Sequence, residues 1–109
     1  MHELAITQSL VSAVCEHVGD AKVIRVRLAI GRLSGVVPDA VRFCFDVCVA
    51  GTPLEGARLE VDEVAARVRC HDCGIEVDLE DQIALCPCGS AALDFLRGRE
   101  LKIREVEVA

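Results

Sequence analysis

The sequence predicts an α+β fold: a small antiparallel or mixed three-stranded sheet with two helices, interrupted by a cysteine-rich insertion. Three observations predict it. The first twenty residues carry apolar side chains at three- and four-residue spacing, three later segments alternate apolar with polar, and paired cysteines separate the last two of these. A chain of 109 residues suits one compact domain with a small appended module, and folding at this size buries roughly two-thirds of the unfolded surface. The boundaries read as residues 1–66 with 97–109 for the α/β body and 67–96 for the insertion.

Residues 3–18 open the body. Leu4, Ala5, Leu10, Val11, Val14, Cys15 and Val18 form an apolar stripe, with Thr7, Gln8, Ser12 and Glu16 on the other side and Gly19-Asp20 as the stop. His17, in the last turn, suits the helix dipole better than a ligand role. In AKVIRVRLAIG, Ile24, Val26, Leu28 and Ile30 point one way and Arg25 and Arg27 the other, a half-buried strand closed by Gly31. Pro38-Asp39 opens a second helix with Val41, Phe45 and Cys48 on its apolar side and Gly51 at its end. ARLEVDEVAARV reads as a second strand with Leu59 and Val61 in phase. RELKIREVEVA reads as a third, carrying Leu101, Ile103, Val106 and Val108, and its phase slips near Arg104-Glu105, which predicts a bulge.

Composition narrows the function. With 52% hydrophobic residues and three aromatics (Phe43, Phe45 and Phe95), the core must be aliphatic. A net charge of −6 and the lack of Trp and Tyr argue against nucleic acid, whose binding rests on cationic side chains and stacking platforms. No apolar stretch approaches a membrane span, and the N terminus lacks the pattern of a secretion signal, so the cytoplasm is the expected compartment. No nucleophile–base pair or phosphate cradle appears, so an enzyme is not expected.

Seven cysteines in such a chain need a reason, because disulfides are rare in the cytoplasm. Four of them, Cys70, Cys73, Cys86 and Cys88, fall in RCHDCGIEVDLEDQIALCPCGS. Two tight pairs separated by a short hairpin put four thiolates within reach of one tetrahedral ion, and a closed site of this kind is structural. A zinc-ribbon-like module results, with Gly74 and Gly89 placed where the backbone must curl. Only Pro87 separates the second pair, which leaves His71 open as a substitute ligand. The remaining cysteines, Cys15, Cys44 and Cys48, read as small core hydrophobes, although the spacing of Cys44 and Cys48 also suits a ligand or redox pair. The acidic run Asp78, Glu80 and Asp81 reads as a solvated turn.

The opening MHE, the strand KVIRVRLAIGRLSGV, the helix FCFDV followed by GTPLEGARLEV, and the cysteine insertion together resemble the HypA/HybF family over essentially the whole chain. The second cysteine pair departs from that family's usual C-P-x-C by one residue. The resemblance implies a nickel metallochaperone that delivers Ni(II) to the [NiFe]-hydrogenase large-subunit precursor, and in some organisms to urease. It also implies a partner accessory GTPase, a nickel site at the N terminus with His2 as its indispensable ligand, and structural zinc on Cys70, Cys73, Cys86 and Cys88. A homodimer is among the assembly states it leaves open.

The nickel chemistry follows from the residues themselves. The Met1 α-amine, the His2 amide nitrogen and His2 Nδ1 can close adjacent chelate rings, and such tetragonal nitrogen coordination suits Ni(II). Glu3 would add its backbone amide or its carboxylate. Affinity should fall with acidity, since amine and imidazole compete for protons. The competing reading is a zinc-ribbon adaptor that binds protein or nucleic acid without delivering nickel.

Overall fold

The computed structural model describes residues 2–79 and 84–109. Its elements run α1 (Glu3–Val18), β1 (Val23–Gly31), α2 (Pro38–Cys48), β2 (Arg58–Val64), β3 (Ala66–Cys70), β4 (Glu76–Leu79), β5 (Leu93–Arg97) and β6 (Leu101–Val108). They form two three-stranded sheets, ordered β2-β1-β6 and β4-β3-β5.

The first sheet is mixed. The β1–β2 pair is parallel, a geometry that needs a crossover, and α2 supplies it; β6 returns antiparallel along the other edge of β1. Both helices cover one face. Beneath them Val11 and Val14 meet Val23, Val26, Leu28 and Ile30 of β1, with Val41, Phe45, Val49 and Leu54 completing an aliphatic core that holds one aromatic ring. The opposite face is polar. Arg25 reaches Glu60 on β2 at 2.7 Å and Glu105 and Glu107 on β6 at 3.1 Å each, while Arg27 joins Asp62 at 2.7 Å to Glu105 at 2.9 Å. Each central-strand arginine thus ties both edges. Single exposed pairs contribute about 0–1 kcal/mol, so their main effect is on which face turns to water.

The predicted bulge is present. Arg27 pairs with Glu105 and Leu28 with Ile103, so Arg104 is the extra residue on β6. A second irregularity, at Ile24 between the Val23–Val108 and Arg25–Glu107 pairs, reverses one expectation: Ile24 turns outward and Val23 is fully buried in its place. The stripe on α1 also differs from the expected one. Leu4 and Ala5 are exposed, and the buried face is Glu3, Thr7, Val11 and Val14. Thr7 can turn inward because its hydroxyl donates to the Glu3 carbonyl at 2.6 Å, so no polar atom is stranded there.

ARLEVDEVAARV is two strands, not one. It breaks at Ala65, with β2 left in the first sheet and β3 starting the second. The reason is backbone crowding at the crossing. Gly31 N–H donates to the Glu100 carbonyl at 2.7 Å, Arg32 N–H to Val64 at 2.9 Å and Leu33 N–H to Gly98 at 2.8 Å. A Cβ on Gly31 would lie 2.1 Å from the Gly98 oxygen, and one on Gly98, whose φ is +109°, would lie 2.4 Å from the Ala66 Cα. Leu33 passes through this crossing to pack on the small second core of Ala66, Val68 and Leu79.

Gly31→Ala should therefore lower the urea midpoint by the equivalent of about 3 kcal/mol, because rigid backbone meets the added carbon. Circular dichroism during urea unfolding checks this; a shift equivalent to less than about 1 kcal/mol would contradict the close approach.

Candidate metal centres

The second sheet presents its cysteines on two matching turns. Cys70 ends β3, its N–H donates to the Ile75 carbonyl at 2.9 Å, and Gly74 N–H returns to the Cys70 carbonyl at 3.0 Å. The other turn repeats the pattern: Cys86 N–H donates to Ser90 at 2.9 Å and Gly89 N–H to Cys86 at 2.8 Å. Gly74 and Gly89, at φ +76° and +93°, adopt the left-handed conformation that closes each turn.

The four sulfur atoms converge to within 4.8 Å of one another. Cys70 Sγ lies 3.7 Å from Cys88 Sγ, and Cys73 Sγ lies 3.5 Å from Cys86 Sγ. Zinc–sulfur bonds of about 2.3 Å place tetrahedral sulfurs about 3.8 Å apart, so the donor set fits that ion. Proton affinity across the cluster is uneven. The backbone N–H groups of Cys73 and Asp72 hold the Cys70 thiol down to about 6. At Cys86 the Cys88 N–H favours thiolate, but burial and the adjoining thiols outweigh it and push the group up to about 12. Four sulfurs this close resist full ionisation until a cation joins them, and a divalent ion provides that charge. Such a site, with every position taken by protein, serves shape and not catalysis.

Among the described residues this is the one group of three or more metal-ligating side chains that converges. The single-residue spacing of the second pair is accommodated, since both Cys86 and Cys88 reach the cluster. His71 turns away from it: its Nε2 pairs with Asp94 at 2.8 Å on the exposed side, and its N–H donates to the Ala92 carbonyl at 2.8 Å. The Asp94 carboxylate raises the imidazole pKa above its ordinary value. Cys15 and Cys48 are half-buried against the first core, and burial raises the Cys48 thiol. Cys44 is likewise half-buried. Asp78 belongs to β4, where it accepts from Arg67 at 2.9 Å; Glu80 and Asp81 lie outside the described residues.

At the other candidate centre, Met1 lies outside the described residues. His2 is exposed at the N-cap of α1, and its carbonyl accepts the first ladder bond, from Ile6 N–H at 2.9 Å. Glu3 is 7% exposed, and its Oε2 accepts from the Val37 N–H at 3.2 Å. The charged amino terminus and that N–H hold the Glu3 carboxyl down to about 2. The contact escaped the sequence reading because it joins residues 34 positions apart. A polar pair at Glu3 and Thr7, in phase with Val11, was its one local signal. His17 is exposed in the last turn of α1. No helix is long and apolar enough to cross a membrane.

Cys73→Ser should lose stoichiometric zinc and loosen the second sheet, a result that metal analysis and hydrogen exchange check together; retained zinc would show that three thiols suffice. Asp94→Asn should lower the His71 pKa, as read by NMR titration. Because the folded-state pKa is raised, the contact stabilises below the ordinary imidazole value and fades as pH rises through the folded one.

Comparison with known proteins agrees with this architecture. A family model described as "Hydrogenase/urease nickel incorporation, metallochaperone, hypA" matches residues 1–108. The hydrogenase maturation factor HypA of Nostoc punctiforme is 53% identical over 108 residues, spanning 99% of this chain and 96% of that protein. That of Geotalea uraniireducens is 48% identical over 109 residues, covering 99% of both chains. Among solved structures, the solution structure of the Ni metallochaperone HypA from Helicobacter pylori superposes with a TM-score of 0.69 at 22% identity, covering 99% of this chain and 97% of that one, and so attests the fold. A whole-length family match, close relatives spanning nearly every residue and a shared architecture place this chain in the HypA family of nickel-incorporation metallochaperones.

Proposed function

We propose that this chain carries Ni(II) on its N terminus and hands it to the [NiFe]-hydrogenase large-subunit precursor in the cytoplasm, with urease as a second recipient class. An accessory GTPase of hydrogenase maturation is the partner that would couple release to nucleotide turnover. The ligands are the Met1 α-amine, the His2 amide and imidazole, and Glu3; Cys70, Cys73, Cys86 and Cys88 hold a structural zinc.

The observation that carries the terminal site is the exposure of His2 ahead of the helix ladder. The ladder's first donor is Ile6, so nitrogens of residues 2 and 3 can take a metal without removing an intrahelical bond. A surface site built on a chain end also suits cargo that must be surrendered, because a partner can approach the ion directly. Nitrogen donors in a tetragonal array favour Ni(II), whereas the four sulfurs of the second sheet favour zinc. The two ions therefore partition by donor type. Support for the recipient comes from the relatives, which are named hydrogenase maturation factors.

His2→Ala, and separately a Gly-Ser extension before Met1, should abolish specific nickel uptake while zinc content and circular dichroism stay as in the unmodified protein. Calorimetric titration with nickel chloride checks this. Equal uptake by the unmodified and extended proteins would refute the terminal site.

A further inference from the structure

We propose that the outer edge of β6 is a docking surface for a second copy of this chain. The two β6 strands pair antiparallel about a twofold axis at the Arg104–Glu105 bulge. This pairing is independent of the terminal nickel site and adds an assembly to the carrier proposed above.

The free edge of β6 presents unpaired backbone beside an open core. β6 is an edge strand of the first sheet, and among the described residues no strand lies beyond it. At both of its ends the main chain points toward β1. Gly31 N–H donates to the Glu100 carbonyl at 2.7 Å, and Ala109 N–H donates to the Lys22 carbonyl at 2.9 Å. Main-chain groups alternate in direction along a paired strand. Counting inward from Glu100 and from Ala109, those of Leu101, Ile103, Val106 and Val108 therefore point away from β1. The two counts meet because Arg104 is an extra residue. The same four side chains lie on the helix-covered face. Leu101, Ile103 and Val106 are only partly buried there and Val108 is 44% exposed, whereas Val26, Leu28 and Ile30 of β1 are at most 2% exposed. Ile6 and Leu10 of α1 line a groove with Leu101, and Ala13 and His17 line the next one with Ile103 and Val106.

The sequence of β6, LKIREVEV, selects a second copy because it is complementary to itself in reverse. With the axis at the bulge, Leu101 meets Val108 of the second copy, Lys102 meets Glu107, Ile103 meets Val106 and Arg104 meets Glu105. Each apolar side chain then faces an apolar one on the helix side. Each cation faces an anion on the outer side, where Arg104 and Glu105 both lie. The Leu101–Val108 and Ile103–Val106 pairs are those whose free main-chain groups face each other, so each exchanges two hydrogen bonds. Lysine and a bulge on an edge strand commonly discourage pairing. Here they select a register: moving the axis to Val106 sets Glu105 against Glu107 and leaves Leu101 beyond the overlap. A twofold axis normal to the sheet keeps the helices of both copies on one face. The two three-stranded sheets thus become one continuous sheet, and each copy covers the open side of the other's core.

The test uses the full-length, untagged, zinc-loaded protein. Sedimentation velocity over a dilution series should show the mass rising from one chain to two, with a dissociation constant below about 1 mM. Amide exchange at Leu101, Ile103, Val106 and Val108 should slow by about tenfold or more on going from dilute to concentrated samples. Lys102 and Glu107, which pair with Ala29 and Arg25 of β1, should change little. Lys102→Glu sets like charges opposite each other and should weaken association by about tenfold, and combining it with Glu107→Lys should restore it. Circular dichroism checks that both variants keep the fold; the exchange measurement needs no variant and decides the edge if one does not. A protein that stays monomeric at about 1 mM overturns the proposal, and an edge kept for a different chain would show itself in that way. A dimer in which the four amides keep their dilute rates also overturns it. Failure of the charge swap to recover association would overturn the register.

Discussion

The second sheet depends on its sulfur cluster. Among the described residues its apolar cluster buries Ala66, Val68 and Leu79, with Leu33, Val77, Ala84, Leu93 and Phe95 partly buried against them, and a segment of this length, below about 40 residues, rarely folds on apolar contacts alone. Its strands are short, and its cross-strand ion pairs, Arg67–Asp78 and Arg69–Glu76, are exposed and add little. What converges instead is four thiols on two turns. Joined by a cation, they would act as a core made of bonds, which explains how so few apolar side chains can hold three strands in register.

That module is fastened to the rest by main chain more than by side chains. At the crossing, residues 31–33 bond to Val64, Gly98 and Glu100, and two glycines let the backbones approach more closely than any Cβ allows. Leu33 adds an apolar plug. Because β1 is also the central strand of the first sheet, the crossing begins at the end of the most buried element in the molecule. Both sheets therefore take their placement from one strand end.

The two proposed metal sites are distinct in kind as well as in place. One is enclosed by four soft donors from two turns, which suits an ion that stays. The other, as proposed, would draw on the amino terminus and the exposed His2 imidazole, which suits an ion that leaves. In the first sheet, Arg25 and Arg27 each span three strands on the outer face. A carrier of this design needs no catalytic pocket.

Much of this was legible in the sequence because it is written in short-range pattern. The spacing of Cys70, Cys73, Cys86 and Cys88 marked a four-thiol site, and the phase slip at Arg104 marked the bulge, since both are properties of neighbours along the chain. The alternation of Val26, Leu28 and Ile30 against Arg25 and Arg27 likewise declared a two-faced strand. Only the tertiary structure decided what depends on approach between distant segments. It split residues 57–68 into strands of two sheets, because Gly98 leaves room for Ala66 to cross there. It also turned Thr7 and Glu3 inward, because the Glu3 carboxylate meets the charged amino terminus and the Val37 N–H there and a hydroxyl could bond locally. Periodicity reports which side of an element is apolar. Where a polar group finds its partner is settled only when the chain has folded back on itself.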